Sequence, residues 1–349
     1  MRSSYAEDDV ILLLKDITGM VEPQSTEVRE KLIQSGSHYS EMLPIEYVPT
    51  DRYMQVYHET LKNFAGDVAR AVGVLADKVI SQRGKSVVLV SLARAGIPIG
   101  ILLKRYIKTK YKIDCPHYSI SIIRGRGIDN NAMKYLLERY DAGRLLFVDG
   151  WIGKGAILNE LKKDLAVYAG ISSEIAVIAD PANVTELCGT HEDILIPSSC
   201  LNSTVSGLIS RTFLRADIIG EDDFHGAAYY GELSGSDLSY DFINAIEKEF
   251  CMENKQEERN INSHGMDEVR ELADEFGVTD INFIKPGIGE TTRVLLRRVP
   301  WKVLIDPRYK GSLQLAHLVR LAEEKNVPIA YYPLKHYKCC GIIKKIADA

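Results

Sequence analysis

The sequence has no uninterrupted apolar run approaching the roughly 20 residues that a membrane-spanning helix needs, so no helical membrane contact is expected. It has no CxxC pair and no His/Cys cluster at zinc spacing. Its six cysteines, Cys115, Cys188, Cys200, Cys251, Cys339 and Cys340, are scattered. They are expected to be mostly reduced thiols in a cytoplasm, and no metal is expected on a protein cluster. The chain starts MRSSYAEDDVILLL, where acids precede a very short apolar run, the reverse of a secretory signal. There is no repeat and no low-complexity segment.

What is present is ordinary in bulk and uneven in detail. A chain of 349 residues, 46% hydrophobic and 26% charged, suits a soluble globular protein of two domains. The net charge is −5, but residues 281–349 hold 13 Lys/Arg against 5 Asp/Glu, leaving the body at −13. An acidic body with a basic tail domain points to an anionic partner for the tail, or to a chance surface imbalance.

Hydrophobic periodicity sets the expected elements. Residues 1–80 read as mostly helical, with a leading helix and a longer one over 52–82, separated by the polar-aromatic loop SHYSEMLPIEYVP. Strands are expected at 86–92, 117–123, 144–148, 174–179 and 193–196, with helices at 96–109, 130–140, 155–168 and 238–250. Continuous apolar strands separated by helices imply a parallel sheet covered on both faces. The polar stretch 251–265 reads as a linker between a 1–250 domain and a 266–349 domain. The second domain has expected helices at 266–276, after Gly289 and at 312–325, and strands at 281–284, 302–305 and 328–332.

LLFVDGWIGKGA (145–156) is a buried strand, one acid, a glycine turn and a helix start. Gly150, Gly153 and Gly155 let the backbone approach an anion, the helix dipole favours it, and Lys154 adds charge. Asp149 can accept hydrogen bonds from sugar hydroxyls. An ATP-type P-loop would need a glycine at 148 and a hydroxyl residue at 155; Val148 and Gly155 exclude it. A plain glycine turn is the alternative. VVLVSLARAGIPIG (87–100) places Arg94 on a turn between small residues, where its guanidinium can grip an anion. HYSISIIRGRGID (117–129) sets Arg124 and Arg126 on a glycine-hinged loop that can close over a polyphosphate.

Segment 145–156 resembles the ribose-5-phosphate loop of type I phosphoribosyltransferases, with Gly150 where a second acid is usual and Lys154 where a threonine is usual. The resemblance implies that Gly150, Gly153, Lys154, Gly155 and Ala156 hold a 5′-phosphate. Ala93, Arg94, Ala95 and Gly96 would hold pyrophosphate, with Arg124 and Arg126 stabilising its departure. Asp149 would then be catalytic, phosphoribosyl pyrophosphate the substrate and Mg²⁺ its cofactor. The implied fold is a mostly parallel sheet with helical N-terminal additions. A homodimer is left open.

PGIGETTRVLLRR (286–298) resembles the RNA-contacting segment of the pelota and kink-turn-binding ribosomal fold, implying a small α/β/α domain with Gly289, Glu290, Thr291, Thr292, Arg293 and Arg297 on structured RNA. Lys285, Arg298, Lys335 and Lys338 would meet its phosphates. A basic packing domain without RNA is the alternative.

LLLKD, HYSEMLPIEY, SIIRGRGID, VDGWIGKGAI, IPSSCLNSTVSGLISRT and DDFHGA together resemble the bacterial family labelled "cysteine protease StiP", associated with tellurite-resistance stress operons. That resemblance implies a phosphoribosyltransferase-like domain with a pelota-type tail, making a nucleotide- or nucleoside-like metabolite. Its label asks for a Cys/His pair, for which Cys200, ahead of a helix expected near 203, and His225 are the candidates. Two further readings remain: a non-catalytic nucleotide sensor bound to RNA, and a peptidase. Ser203, Thr204, Ser206, Ser210 and Arg211 could instead meet a base or phosphate, with Tyr39 stacked on a ring.

Overall fold

The structure is a computed structural model that describes residues 1–253 and 263–344. The linker expected at 251–265 therefore lies largely outside the described residues. A six-stranded parallel sheet forms the first domain, in the order β1 (Ile11–Leu12), β4 (His117–Ile120), β3 (Val88–Leu92), β7 (Leu145–Trp151), β8 (Ile175–Ala179), β9 (Cys188–Thr190). The remaining strands are short: β2 (Lys15–Asp16) pairs with β10 (Gly226–Ala227), and β5 (Ile122–Ile123) makes a hairpin with β6 (Gly127–Ile128).

Alternation along β7 explains the layers. Leu146 and Val148 face one core with residues of α2 (Asp51–Arg83), α3 (Gly96–Tyr111) and α6 (Ser239–Glu247). Leu145 and Phe147 face the other, with α4 (Asn130–Leu137) and α5 (Ala156–Leu165). Strands covered on both sides have no polar face, which is why they read as unbroken apolar runs. Helix α3 can lie against β7 because Gly96 has no Cβ: one built there would sit 2.4 Å from Val148 O.

Residues 1–16, expected as mostly helical, instead supply two short strands; the first helix is α1 (Thr26–Gln34), capped by Ser25. The strand expected at 193–196 is not one. The edge strand is β9, and Asp193 turns its carboxylate to the second domain, accepting N–H bonds from Ile288 and Lys338, 2.9 Å each.

The second domain has sheet order β11 (Ile284–Pro286), β14 (Cys339–Ile343), β12 (Pro300–Ile305), β13 (Ile329–Tyr331), with only β12 and β13 parallel. One face packs on α7 (Gly265–Glu275), the other on α8 (Ile288–Arg297) and α9 (Ala316–Glu324). The core on the α8 side also takes in Val56, Phe64, Leu195 and Cys200 of the first domain, so the two domains share apolar packing. Among the described residues no helix is long and apolar enough to cross a membrane.

Candidate functional site

Strand β7 delivers Asp149 to its C-terminal end, where ligands of such sheets bind, and the chain then turns through residues 152–155 into α5. Gly155, at φ +85°, makes the left-handed step that a side chain would resist. Among the described residues, no hydrogen bond of the protein uses the N–H of Gly153, Lys154, Gly155 or Ala156. Four amides at a helix start form an anion cradle. Lys154 does not join it. Its Nζ donates to Ile281 O (2.7 Å) and Ile284 O (3.3 Å) of the second domain. Burial, then Lys285 nearby, lowers its pKa to about 8. The loop is clasped again where Tyr337 donates to Gly153 O at 2.7 Å.

Asp149 accepts the Gly150 N–H at 2.7 Å. Burial pushes its carboxyl up to about 6; the Gly150 N–H and Arg293 oppose this, and Glu290 adds to it. Glu290 comes from the first turn of α8. A Cβ on Gly153 would lie 3.5 Å from Glu290 Cγ, so the side chain lies along the 152–155 loop. Arg293 donates to Glu290 (3.2 Å) and stacks on the Trp151 ring, 4.4 Å to its centroid. A second carboxylate thus stands near Asp149, from another domain, where Gly150 supplies none.

The residues expected on RNA are placed as follows. Gly289 abuts Trp151, with a Cβ there only 3.4 Å from the ring. Thr291 and Thr292 are fully buried, Thr292 donating to Ile288 O and bonded to His317. Glu290 and Arg293 line the first domain's loop. Their side chains remain 24% and 32% exposed. The side chain of Arg297 lies outside those described. Lys285 is half-buried, Lys338 buried, and Lys335 pairs with Glu271 at 2.8 Å.

The other loops gather at the same end of the sheet. The Ala93–Arg94 peptide is cis. Arg94 is engaged within the protein, donating to Ile209 O (2.7 Å) and Glu46 (3.1 Å). A Cβ on Gly150 would lie 3.6 Å from Ala95 O, so this turn abuts the end of β7. Gly96 permits the α3–β7 approach. Arg124 and Arg126 ride the β5–β6 hairpin. That hairpin is anchored: Gly125 N donates to Glu160 of α5 (2.9 Å), Arg124 N to the Tyr39 hydroxyl (3.0 Å), Arg124 Nη1 to Asn282 (3.2 Å) and Arg126 to Glu41. Of the hydroxyl-rich stretch, Ser203, Thr204, Ser206 and Ser210 are buried, while Arg211 is exposed.

The Cys200/His225 pair does not form. Cys200 is 1% exposed, beside Thr60 (3.8 Å), in the core shared by the domains. The helix expected after it is a single 3-10 turn, Ser203–Val205. The His225 ring bonds to Ser121 at 2.8 Å, and its backbone N–H donates to Asp129. A different cysteine has a histidine: Cys188 Sγ lies 3.3 Å from His191 Nε2, and His191 Nδ1 faces Asp180, 3.0 Å from its carbonyl and 3.7 Å from its carboxylate. The Cys-x-x-His spacing was the available sign of this pair. Its thiol is buried, and burial raises its pKa to about 12.

Two carboxylates, four free loop amides and three arginines thus gather at the strand ends of an α/β protein, beside its second domain. The family model described as "Tellurite-like stress resistance cysteine protease StiP" matches residues 3–247, and that of the PELOTA RNA binding domain matches 263–345. "Cysteine protease StiP" of Acinetobacter baylyi (strain ATCC 33305 / BD413 / ADP1) is 34% identical over 364 residues, covering 98% of this chain and 94% of that one. The chain belongs to the StiP family. Solved structures with local similarity include a hypoxanthine-guanine-xanthine phosphoribosyltransferase (14% identity, 36% of this chain and 74% of that one, TM-score 0.26). A purine phosphoribosyltransferase of Pyrococcus horikoshii aligns similarly (19%, 34% and 74%, TM-score 0.24). The fold class is as expected: a mostly parallel sheet with helices and a PELOTA domain at the C-terminus.

Proposed function

We propose that the chain binds phosphoribosyl pyrophosphate, or a related phosphorylated sugar, and transfers the sugar phosphate to an acceptor. The observation that carries this reading is the set of uncommitted N–H groups at 153–156, one strand end from Asp149. These amides would take the 5′-phosphate, and Asp149 a ribose hydroxyl. In the transfer, the C1–O bond to pyrophosphate breaks and its electron pair leaves with pyrophosphate. A lone pair on an acceptor nitrogen forms the new C1–N bond, and the proton lost from that nitrogen passes to pyrophosphate or water. Arg124 and Arg126, on their anchored hairpin, would balance charge growing on the leaving group. Asp149 and Glu290 also suit Mg²⁺, which binds through one or two carboxylates plus substrate phosphates; the ion would supply neutralising charge to the diphosphate.

Glu290 gives the PELOTA domain a part in this site, and RNA would be left the faces away from α8. Pyrophosphate release from Mg²⁺–phosphoribosyl pyrophosphate, assayed across nucleobases and related heterocycles, tests the transferase. Binding of the sugar without release under any acceptor would leave a nucleotide sensor instead.

A peptidase reading has one geometric support, the Cys188–His191–Asp180 alignment. A thiol without solvent contact and with a raised pKa is a poor nucleophile. We therefore expect thiol-reactive peptide probes to leave the native protein unlabelled at Cys188; labelling lost in Cys188→Ser would restore that reading.

A further inference from the structure

Two of the three arginines at the strand ends are held by carboxylates from one short segment, residues 38–46. Glu41 pairs with Arg126, and Glu46 with Arg94 at 3.1 Å. The third, Arg124, meets a neutral acceptor, the amide oxygen of Asn282 (3.2 Å). One segment therefore supplies the anions to two separate loops.

The segment is a fixed strap. Gln24 N donates to Leu43 O (2.8 Å) and Ile45 N to Gln24 O (3.0 Å), while Leu43 is buried with Ile17, Phe213, Ile219 and Ala228. Beside the Glu41 side chain, Ser40 O accepts from Leu214 N (2.9 Å) and Glu41 O from Arg215 Nη1 (3.2 Å). The hairpin docks on this strap through the backbone of Arg124. Its N–H goes to the Tyr39 hydroxyl (3.0 Å), and its carbonyl accepts from His38 Nε2 (3.1 Å), the tautomer set by Ser40 N donating to His38 Nδ1 (3.3 Å). With both main chains held, burial separates the two ion pairs. The Arg94 and Glu46 side chains are 11% and 7% exposed, so drawing Arg94 away would strand a buried carboxylate. Those of Arg126 and Glu41 are 33% and 29% exposed. A pair so open to water is worth little, and Glu41 left alone would still be solvated.

We propose that Glu41 is a built-in competitor for the ligand: its carboxylate holds Arg126 until a diphosphate arrives and takes the guanidinium from it. A diphosphate brings more charge and more acceptor oxygens than one carboxylate, and a guanidinium fork fits either. Arg94 stays locked to Glu46 and belongs to the mounting of the strap. The Glu41–Arg126 contact is thus autoinhibitory, holding the affinity for diphosphate below what Arg126 would give by itself. This takes its ligand from the transferase reading and adds a control on the donor's half of that site.

The test titrates Mg²⁺–pyrophosphate, then Mg²⁺–phosphoribosyl pyrophosphate, into the full-length protein at a temperature where every form is folded. Glu41→Gln is expected to bind pyrophosphate about three- to tenfold tighter than wild type, the scale of one exposed ion pair released. Arg126→Gln should weaken binding, and the double variant should bind no tighter than Arg126→Gln, because the gain passes through that guanidinium. Four results overturn the proposal: equal affinity in Glu41→Gln and wild type, binding indifferent to Arg126→Gln, a gain retained in the double variant (a weaker negative field only), or no binding by any of the four forms up to about millimolar pyrophosphate. The transferase reading fails separately. If Glu41→Gln tightens pyrophosphate while phosphoribosyl pyrophosphate binds neither it nor wild type, the competitor stands and the sugar donor is excluded.

Discussion

At the residue scale, the proposed chemistry falls mostly on Asp149 and Glu290. Asp149 has a folded-state pKa of about 6 against an ordinary 3.8, so the folded chain takes up its proton first. Its contribution to stability therefore falls as pH rises from about 4 through about 6 and is fully unfavourable above that. Asp149→Asn is expected to raise the melting temperature above pH 6 and to leave it unchanged near pH 4, read by thermal unfolding across pH. The same substitution should remove a rise in pyrophosphate release through about pH 6, because only the carboxylate accepts a sugar hydroxyl or a metal ion. Glu290→Gln keeps the shape and the Arg293 contact but removes the charge. We expect its kcat/KM to drop about ten- to hundredfold with an unchanged melting curve; an unaltered rate would remove Glu290 from the site. Asp149 was legible because a lone acid ends an apolar strand before a glycine turn. The place of Glu290 was not, since its neighbour is some 140 positions away and its local pattern matches an RNA-contacting helix equally well.

At the scale of elements, sequence and structure agree where side chains alone decide. Strands β3, β7 and β8 are buried on both faces, so their apolar runs could be little else. The disagreement at 193–196 has a physical cause. Leu195 and Ile196 are buried as a strand's residues would be, but Asp193 is held by backbone donors of the second domain, a tertiary constraint without local signature. Edge strand β9 is three residues, Cys-Gly-Thr, too short to show alternation; its Gly189 exists because a Cβ would meet Ala71 O at 2.3 Å. Gly96 makes a comparable demand. Gly96→Ala must push α3 from β7, and since the obstacle is backbone we expect a loss of about 1–3 kcal/mol, read as a lower denaturant midpoint at unchanged slope.

At the scale of the whole molecule, the charge asymmetry acquires a partial internal explanation. Arg320 pairs with Glu59 at 2.5 Å and Lys338 with Glu192 at 3.7 Å, so part of the basic surplus of the second domain is met by the acidic body. Asp193 is the sharpest point of that attachment. Asp193→Ala orphans the N–H groups of Ile288 and Lys338, at about 1–3 kcal/mol for each buried donor. Hydrogen exchange should then quicken at those two amides and spread along α8 before it reaches β7. The composition announced two domains with unlike charge; that their residues meet at the strand ends could not be read, because the contacts that join them are single residues far apart in sequence. The claim that matters most is that the amide cradle and Glu290 form one binding site across the domain boundary. Isothermal titration of the full-length protein with Mg²⁺–phosphoribosyl pyrophosphate tests it most directly. The account expects one site per chain, with affinity weakened in Glu290→Gln. No binding up to about millimolar ligand, or binding indifferent to Glu290→Gln, would contradict it.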